Sequence, residues 1–238
     1  MDVEHVRVRA ESRVDRPDRR PVAPLREVRN GFERQLHALT LGAVKAYYDR
    51  RAPEYDDWWL GTGLHAGRDR PGWREEVETL THALAGLPPA RTLDVACGTG
   101  FLTAHLPGEI VGLDQSESML EIARRRVPSA EFVRGDADTL PFADSAFGRV
   151  FTGHFYGHLE EDGRRAFLAE ARRVADDLVV VDSALREGHE PVELQERVLK
   201  DGSRWEVYKR YFTTDGLAEE LGGAGIVHAG RWFVAVRA

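Results

Sequence analysis

The sequence predicts an α/β fold with a doubly wound, mostly parallel sheet and an N-terminal helical cap. Between residues 91 and 185, five short apolar segments are interleaved with segments of helical periodicity, which is typical of parallel strands covered by helices. A glycine-rich turn follows the first strand, where such a sheet binds its ligand. No helix follows the final apolar segment, which predicts an antiparallel last strand at the sheet edge.

The first 88 residues predict a tail followed by a helical cap. Residues 1–30 are polar, contain many Arg and Pro residues and lack a clear period, which indicates a surface tail. Residues 31–48 space their apolar side chains as a helix does, and residues 73–86 form a second amphipathic pattern that stops before the Pro88–Pro89 pair. The aromatic segment YYDRRAPEYDDWW lies between the two helices. We therefore predict a tail at 1–30, a cap at 31–88 and an α/β core at 89–238.

The core predicts its strands and helices in a regular order. In chain order the segments are strand RTLDVA, helix GFLTAHL, strand EIVGLD, helix SESMLEIARRRV, strands AEFVRGDA and GRVFTGHF, helix EDGRRAFLAEARRVA and strand DLVVVDSAL. Near the C-terminus, RWEVYKRYFT and IVHAGRWFVAV predict two further strands, with the helix TDGLAEELGG between them. The 238 residues are enough for one large domain of this kind.

Composition argues against several classes of protein. A formal net charge of −7 argues against a nucleic-acid binder held by phosphate contacts. There is no apolar run of about 18 residues to span a membrane, and the first residues lack the apolar core of a signal peptide. The single cysteine, Cys97, excludes an intrachain disulfide and a cysteine zinc site. We expect a cytoplasmic protein with no membrane and no nucleic-acid partner.

The turn after the first strand carries the first candidate binding residues. Asp94 ends the strand, and Gly98 and Gly100 form the turn at the carboxyl edge of the sheet. A dinucleotide site would need a third glycine at position 103, which is threonine, and Asp94 would repel a pyrophosphate on the following helix. A carboxylate at this place suits a cationic amine instead.

The next two strand ends add two more acids. Asp114 closes the second strand 20 positions after Asp94, where a carboxylate can accept hydrogen bonds from both hydroxyls of a ribose. Asp136 follows the third strand and can accept a hydrogen bond from the exocyclic amine of adenine, while Leu140 and Phe142 can flank the purine ring. Amine, ribose and adenine contacts in this order point to S-adenosylmethionine.

Four motifs in sequence strengthen this interpretation. LDVACGTGFLTAHL, VGLDQSESMLEIAR, GDADTLPFADSAFGRVF and HFYGHLEEDGRRAFLAEARRV resemble the successive motifs of the class I S-adenosylmethionine-dependent methyltransferases, over residues 45–238. The resemblance implies one methyltransferase domain at 31–238, with a Rossmann-like sheet of seven strands and an antiparallel last strand. It also implies that YDRRAPEYD covers the cofactor and forms part of the acceptor pocket. Ala96 departs from the family, which has a glycine there.

The resemblance implies further contacts with the cofactor, which is S-adenosyl-L-methionine. Aromatic rings of the cap are expected to face the sulfonium, where cation–π attraction orients the methyl group. The full predicted cofactor-binding set is Tyr48, Tyr55, Asp94, Ala96, Gly98, Gly100, Asp114, Gln115, Met119, Asp136, Ala137 and Thr152.

Candidate catalytic groups follow the fourth strand, in TGHFYGHL. His154 lies at the strand end, where an imidazole of ordinary pKa, about 6.5, can take a proton from the acceptor. Tyr156 is a second candidate at the acceptor site, and His158 is expected to pack structurally. Two histidines four positions apart can hold a metal, but the segment leaves the strand between them and no third ligand is evident, so no metal site is predicted.

The sequence thus predicts a small-molecule methyltransferase, acting as a monomer or homodimer. A specialised bacterial metabolite methylated on oxygen or nitrogen is the first expectation. Methylation of a quinone ring carbon or of sulfur stays open. A non-catalytic binding or assembly protein is the alternative of another class, although the intact Gly98, Gly100 and Asp114 argue against it.

Overall fold

The computed structural model describes residues 45–223 and 225–238, which include a seven-stranded sheet. The strands of the whole structure are β1 (Ala90–Val95), β2 (Gly108–Asp114), β3 (Glu131–Arg134), β4 (Arg149–Gly153), β5 (Leu178–Ser183), β6 (Val192–Val198), β7 (Arg204–Arg210), β8 (Gly225–Ala229) and β9 (Phe233–Arg237). The order in the large sheet is β3-β2-β1-β4-β5-β9-β8. Only β9 runs against the other strands of this sheet, which confirms an antiparallel last strand. It lies one place in from the edge, which β8 forms.

Helices and turns cover both faces of the sheet. The helices are α1 (described at 45–51), α2 (Asp57–Leu60), α3 (Trp73–Ala85), α4 (Glu117–Arg126), α5 (Glu161–Val174) and α6 (Thr214–Leu221). Leu80 and Leu84 of α3 belong to one apolar cluster with Val179 and Val181 of β5. Val180 points the other way, into a second cluster that contains side chains of α5 and α6. Successive side chains of β5 therefore point into different clusters and are all buried, because the sheet is covered on both faces.

Two predicted elements differ from the structure. The predicted helix GFLTAHL is only a 3-10 turn at Thr103–His105, because the chain extends again at Leu106 and enters β2 through Pro107. The predicted strand IVHAGRWFVAV is the β8–β9 hairpin, in which the amide of Gly230 donates to the carbonyl of Phe233 at 2.9 Å. The hairpin turn lies inside a nearly continuous apolar run, so periodicity alone did not show it.

Strand β7 does not join the large sheet. It pairs antiparallel with β6 in a separate two-stranded ribbon, and the bridge between Ala184 and Phe212 anchors this ribbon beside the end of β5. The inward residues of β6, Glu193, Gln195 and Arg197, are polar and half-buried, whereas its apolar residues are exposed. The ribbon therefore presents polar side chains to the carboxyl edge of the sheet.

Some predictions on the first 88 residues lie outside the described residues. The tail at 1–30 and the larger part of the predicted helix at 31–48 are among them. The described end of that helix continues to residue 51, and the predicted second helix is α3. None of the helices at 45–223 and 225–238 is long and apolar enough to cross a membrane.

Candidate active site

The turn after β1 brings backbone and carboxylate together at the carboxyl edge of the sheet. Ala96, Gly98 and Gly100 all have positive φ, at 56°, 54° and 74°. A Cβ atom at Gly100 would come within 3.2 Å of the Cβ of Ala123, which is a tight contact, so a side chain at this positive-φ position would crowd α4. Ala96 holds a left-handed conformation that costs a side-chain-bearing residue about 1–2 kcal/mol.

Asp94 is buried at this turn, and only one of its two carboxylate oxygens has a hydrogen-bond partner among the described residues. Its Oδ2 accepts a hydrogen bond of 2.6 Å from Thr103 Oγ1, but its Oδ1 has no partner among the described residues. Burial raises the pKa of Asp94 to about 7. The hydrogen bond from Thr103 lowers this pKa, and the nearby charge of Asp114 raises it further. An unpartnered buried oxygen of this kind is a site for a cationic donor. Thr103, the residue that stands where a dinucleotide site would have a glycine, holds this carboxylate in place.

Asp114 holds the glycine turn in place. Its Oδ2 accepts from the amide of Gly98 and its Oδ1 from the amide of Ser116, both at 2.9 Å. Burial raises the pKa of Asp114 to about 6; these amide hydrogen bonds lower it and the charge of Asp49 raises it. Each carboxylate oxygen has a further lone pair, so Asp114 can still accept from two hydroxyls of a ligand.

The other predicted cofactor residues of the core lie around these two acids. Gln115 is half-buried after β2, and Met119 and Ala137 are buried. The Thr152 hydroxyl donates to the carbonyl of Val95 at 2.8 Å, which ties β4 to β1. Asp136 is exposed, and its Oδ1 accepts a hydrogen bond of 3.1 Å from the amide of Asp138.

Three side chains do not reach the site as expected. Leu140 is buried in the apolar cluster on the α5 face, and Phe142 packs on Phe147 with ring centres 4.9 Å apart, so the expectation that they flank a purine is wrong. The prediction that Tyr156 lies at the acceptor site is wrong. It lies in a 3-10 turn that directs its hydroxyl to Glu220 of α6, at 2.8 Å.

A small cavity lies over the glycine turn, beneath the aromatic cap. Tyr55 and Trp59 of the cap line it together with core residues of the turn and of β4; the complete lining is Tyr55, Trp59, Asp94, Ala96, Cys97, Thr99, Phe101, Leu102, Phe151 and Gly153. A Cβ atom at Gly98 would lie 3.8 Å from the ring of Tyr55. Tyr48 is half-buried in α1, and burial raises its pKa above the ordinary value.

A polar contact fastens the cap to the turn. Asp56 accepts from Thr99 Oγ1 at 2.6 Å and forms an ion pair with Arg126 of α4. Arg126 also donates to the carbonyl of Thr99 at 2.8 Å. Asp56 and Arg126 are 70 positions apart, so the sequence pattern does not indicate their contact, which only the fold creates.

Replacing Asp56 with alanine is expected to loosen the cap. The change removes a half-buried charge-assisted contact of about 1 kcal/mol, so amide hydrogen exchange over 45–60 should become roughly fivefold faster. Exchange in β1 and β5 should stay unchanged. Glu117→Gln, which removes an exposed ion pair with Arg124 on α4, is the control. Wild-type exchange over 45–60 in Asp56→Ala would show that this contact does not hold the cap.

His154 lies at the end of β4 in an enclosed aromatic setting. Its ring centre is 4.7 Å from that of Trp58, 4.9 Å from that of Trp59 and 5.4 Å from that of Phe233. Its backbone has φ +56°, a strained conformation that concentrates at functional sites. Gly153, the residue before it, lines the cavity.

The His154 imidazole has one engaged and one free nitrogen. Nδ1 lies 3.4 Å from Ser183 Oγ and 3.9 Å from Asp182 Oδ1, whereas the buried Nε2 has no partner among the described residues. Burial lowers the pKa of His154 well below 6.5, and the charges of Lys209 and Arg197 lower it further, so the expectation of an ordinary pKa is wrong. The ring is neutral at pH 7, and a proton on Nδ1 leaves Nε2 as an acceptor.

A buried ion pair lies behind His154. Asp182 is fully buried and pairs with Lys209 of the ribbon, which is also buried. The same carboxylate accepts from the amides of Gly157 and Ser183, both at 2.7 Å. This ion pair therefore connects the ribbon, β5 and the segment after β4.

Replacing Lys209 with methionine is expected to destabilise the fold strongly. The change leaves the buried Asp182 carboxylate without its cation, which costs about 3–5 kcal/mol in the free energy of unfolding. The double variant Asp182→Asn/Lys209→Met should recover most of that loss, because no unpaired charge remains. Urea unfolding measures both. A single variant within about 1 kcal/mol of the wild type would contradict this role of the ion pair.

His158 makes a structural contact. Its Nδ1 lies 2.7 Å from the carbonyl oxygen of Tyr208 in β7, and burial lowers its pKa well below 6.5. The described residues contain no group of three or more His, Cys, Asp or Glu side chains that could hold a metal ion.

Comparisons with known proteins agree with this geometry. Residues 92–177 match the family model described as a methyltransferase domain. The chain is 37% identical over 149 residues to a demethylmenaquinone methyltransferase of Thermotoga maritima, covering 60% of this chain and 59% of that protein. It is 37% identical over 134 residues to the protein of the same name from Renibacterium salmoninarum, covering 55% and 53%. The chain thus spans less than two thirds of the length of these curated relatives.

Solved structures extend the similarity beyond the family model. The structure of a DhpI–SAM–HEP complex is 25% identical, covers 83% of this chain and 97% of that chain, and superposes with a TM-score of 0.66. A DhpI–SAH complex is 26% identical, covers 81% and 92%, and has a TM-score of 0.62. The matching domain, the relatives and the seven-stranded sheet with its glycine turn agree with one another. The chain is similar to S-adenosylmethionine-dependent methyltransferases in sequence and in fold, and residues 92–177 are the part that matches a methyltransferase domain.

Proposed function

We propose that this chain is an S-adenosylmethionine-dependent methyltransferase that acts on a small molecule. The observation that carries the proposal is the buried Oδ1 of Asp94 at the glycine turn, which has no partner in the described parts of the chain. A cationic amine removes the cost of that buried charge, and the amino-acid end of S-adenosylmethionine carries such an amine. When bound, this cofactor supplies an electrophilic methyl group on its sulfonium.

The chain's own residues bind and orient the cofactor, and they exclude water from the reacting groups. Asp94 receives the amine, Asp114 the ribose hydroxyls and Asp136 the adenine amine, while the ring of Tyr55 closes over the turn. The enclosed aromatic setting of His154 keeps water away from the reacting groups. His154 Nε2 accepts the proton that the acceptor loses.

The acceptor in this proposal is a small metabolite of specialised bacterial metabolism, methylated on oxygen or nitrogen. A neutral, buried imidazole with a free nitrogen suits a nucleophile that must lose a proton, which favours a hydroxyl or an amine. Methylation of a quinone ring carbon is the second candidate, because both curated relatives described above are named demethylmenaquinone methyltransferases. A ring carbon also loses a proton, so His154 serves either reaction.

Binding and transfer are tested separately. Calorimetric titration at pH 8 is expected to show binding of S-adenosylhomocysteine, and a library of small molecules that includes a demethylmenaquinol is then screened with methyl-labelled cofactor. NMR of the product places the methyl group on oxygen, nitrogen or carbon. Absence of S-adenosylhomocysteine binding would overturn the proposal. Binding without transfer to any compound would favour a non-catalytic binding protein.

A further inference from the structure

Two arginines beside the site have no carboxylate partner in the part of the chain that the structure describes. Arg51 of α1 is buried, and it donates to the Tyr47 hydroxyl at 2.7 Å. Arg197, half-buried on the inward face of β6, donates from Nε to the side-chain oxygen of Gln195 at 3.0 Å. A guanidinium stays charged in a protein, so its burial without an anion is costly.

A chain of contacts links the two arginines. Arg197 faces Trp205 across the ribbon, and the Trp205 ring lies 5.8 Å from that of Tyr47, whose hydroxyl binds Arg51. The ribbon and the cap therefore bring both guanidiniums to the same side of the site.

Two imidazoles with free nitrogens lie among the same charges. His65 Nδ1, like His154 Nε2, is buried without a partner among the described residues. Burial lowers the pKa of His65 to about 4, with the charges of arginines that include Arg51 and Arg197 adding to it. The same two arginines, with Lys209, act on His154. Positive charge therefore collects around both free nitrogens.

The neighbouring carboxylates are already engaged, in a protein whose net charge is −7. Each one accepts a hydrogen bond from, or forms an ion pair with, another described residue, and none of them forms an ion pair with Arg51 or Arg197. The pairs are Asp182 with Lys209, Glu193 with Tyr211, Asp57 with Lys200, Asp56 with Arg126 and Asp49 with Ser116. The oxyanion of a ligand can supply the negative charge that the described residues do not place on these two guanidiniums.

We propose that the methyl acceptor carries an oxyanion, a carboxylate or a phosphate, which Arg51 and Arg197 bind together. The inference rests on the proposed function, because it describes the acceptor of that same site. The guanidinium fork matches both kinds of oxyanion with paired hydrogen bonds. An anionic group anchored there leaves the nucleophile of the same molecule to face His154. A neutral quinone ring does not meet this requirement.

The test measures oxyanion binding directly. Thermal unfolding is followed while inorganic phosphate or benzoate is titrated at constant ionic strength, with and without saturating S-adenosylhomocysteine. Benzamide is the uncharged control. Saturable stabilisation by phosphate or benzoate is expected, and it identifies which oxyanion is preferred. Arg51→Gln and Arg197→Gln should each weaken this binding at least tenfold.

Further variants separate binding from folding. Arg197→Lys keeps the charge and should recover part of the affinity, whereas Arg165→Gln, at an exposed arginine of α5, should bind like the wild type. If Arg51→Gln does not fold, the binding measured for Arg197→Gln alone tests the proposal. The inference is overturned if phosphate and benzoate give no saturable shift, or if both glutamine variants bind them as the wild type does. Failure of S-adenosylhomocysteine to bind instead contradicts the proposed function.

Discussion

Replacing Asp94 with asparagine is expected to lower the affinity for S-adenosylhomocysteine by about 10- to 100-fold at pH 8, because a charge-assisted hydrogen bond to the ligand amine is lost. The pKa of about 7 gives this effect a pH dependence. Below pH 7 the unliganded carboxyl holds a proton, which must leave before a cationic amine binds. Wild-type affinity should therefore fall by up to about tenfold per pH unit below pH 7, and be constant above it.

The same variant is expected to change stability in the opposite direction. The folded-state pKa of Asp94 lies above its unfolded value, so its contribution to stability is present at low pH and is lost as pH rises towards 7. At pH 8 and without ligand, the free energy of unfolding of the asparagine variant should exceed that of the wild type by about 1 kcal/mol or more.

A control and a contradicting result complete this prediction. Asp144→Asn, at an exposed acid paired with Arg173, should change neither affinity nor its pH dependence. If Asp94→Asn binds S-adenosylhomocysteine as the wild type does and keeps the same pH profile, Asp94 does not receive the amine.

The sequence pattern predicted the sheet because its signals are local. Alternating strands and helices, Asp94 at a strand end and Asp114 at the next strand end are features within single elements, and the structure brings these ends to one edge. The hydrogen bond from Thr103 to Asp94 was not predicted, because position 103 was compared only with the glycine of a dinucleotide site.

Features that depend on distant contacts could not be predicted in this way. In β6 the usual alternation is inverted: Val192, Leu194 and Val198 are exposed, whereas the half-buried positions are polar, namely Glu193, Gln195 and Arg197. The alternation itself was a signal for a strand. Tyr156 was misplaced because its direction depends on a single 3-10 turn, which sequence spacing does not determine.

Replacing His154 with asparagine is expected to lower kcat by about 10²- to 10⁴-fold, because the free Nε2 that accepts the proton is removed. Asparagine tolerates the positive φ of this position better than alanine, so the fold and the affinity for S-adenosylhomocysteine should be kept. His158→Asn should instead lower thermal stability, since that ring binds the Tyr208 carbonyl, and should reduce the single-turnover rate less.

The pH profile of the wild type gives an independent measurement of this role. A base works in its neutral form and loses activity as pH falls through its pKa, and the lowered pKa of His154 moves that loss to acid pH. With cofactor and acceptor saturating, kcat should therefore stay constant from about pH 8 to pH 6.5 and fall only below that range. Turnover by His154→Asn within a few-fold of the wild type would mean that water or the acceptor itself removes the proton. His154 would then only form a wall of the pocket.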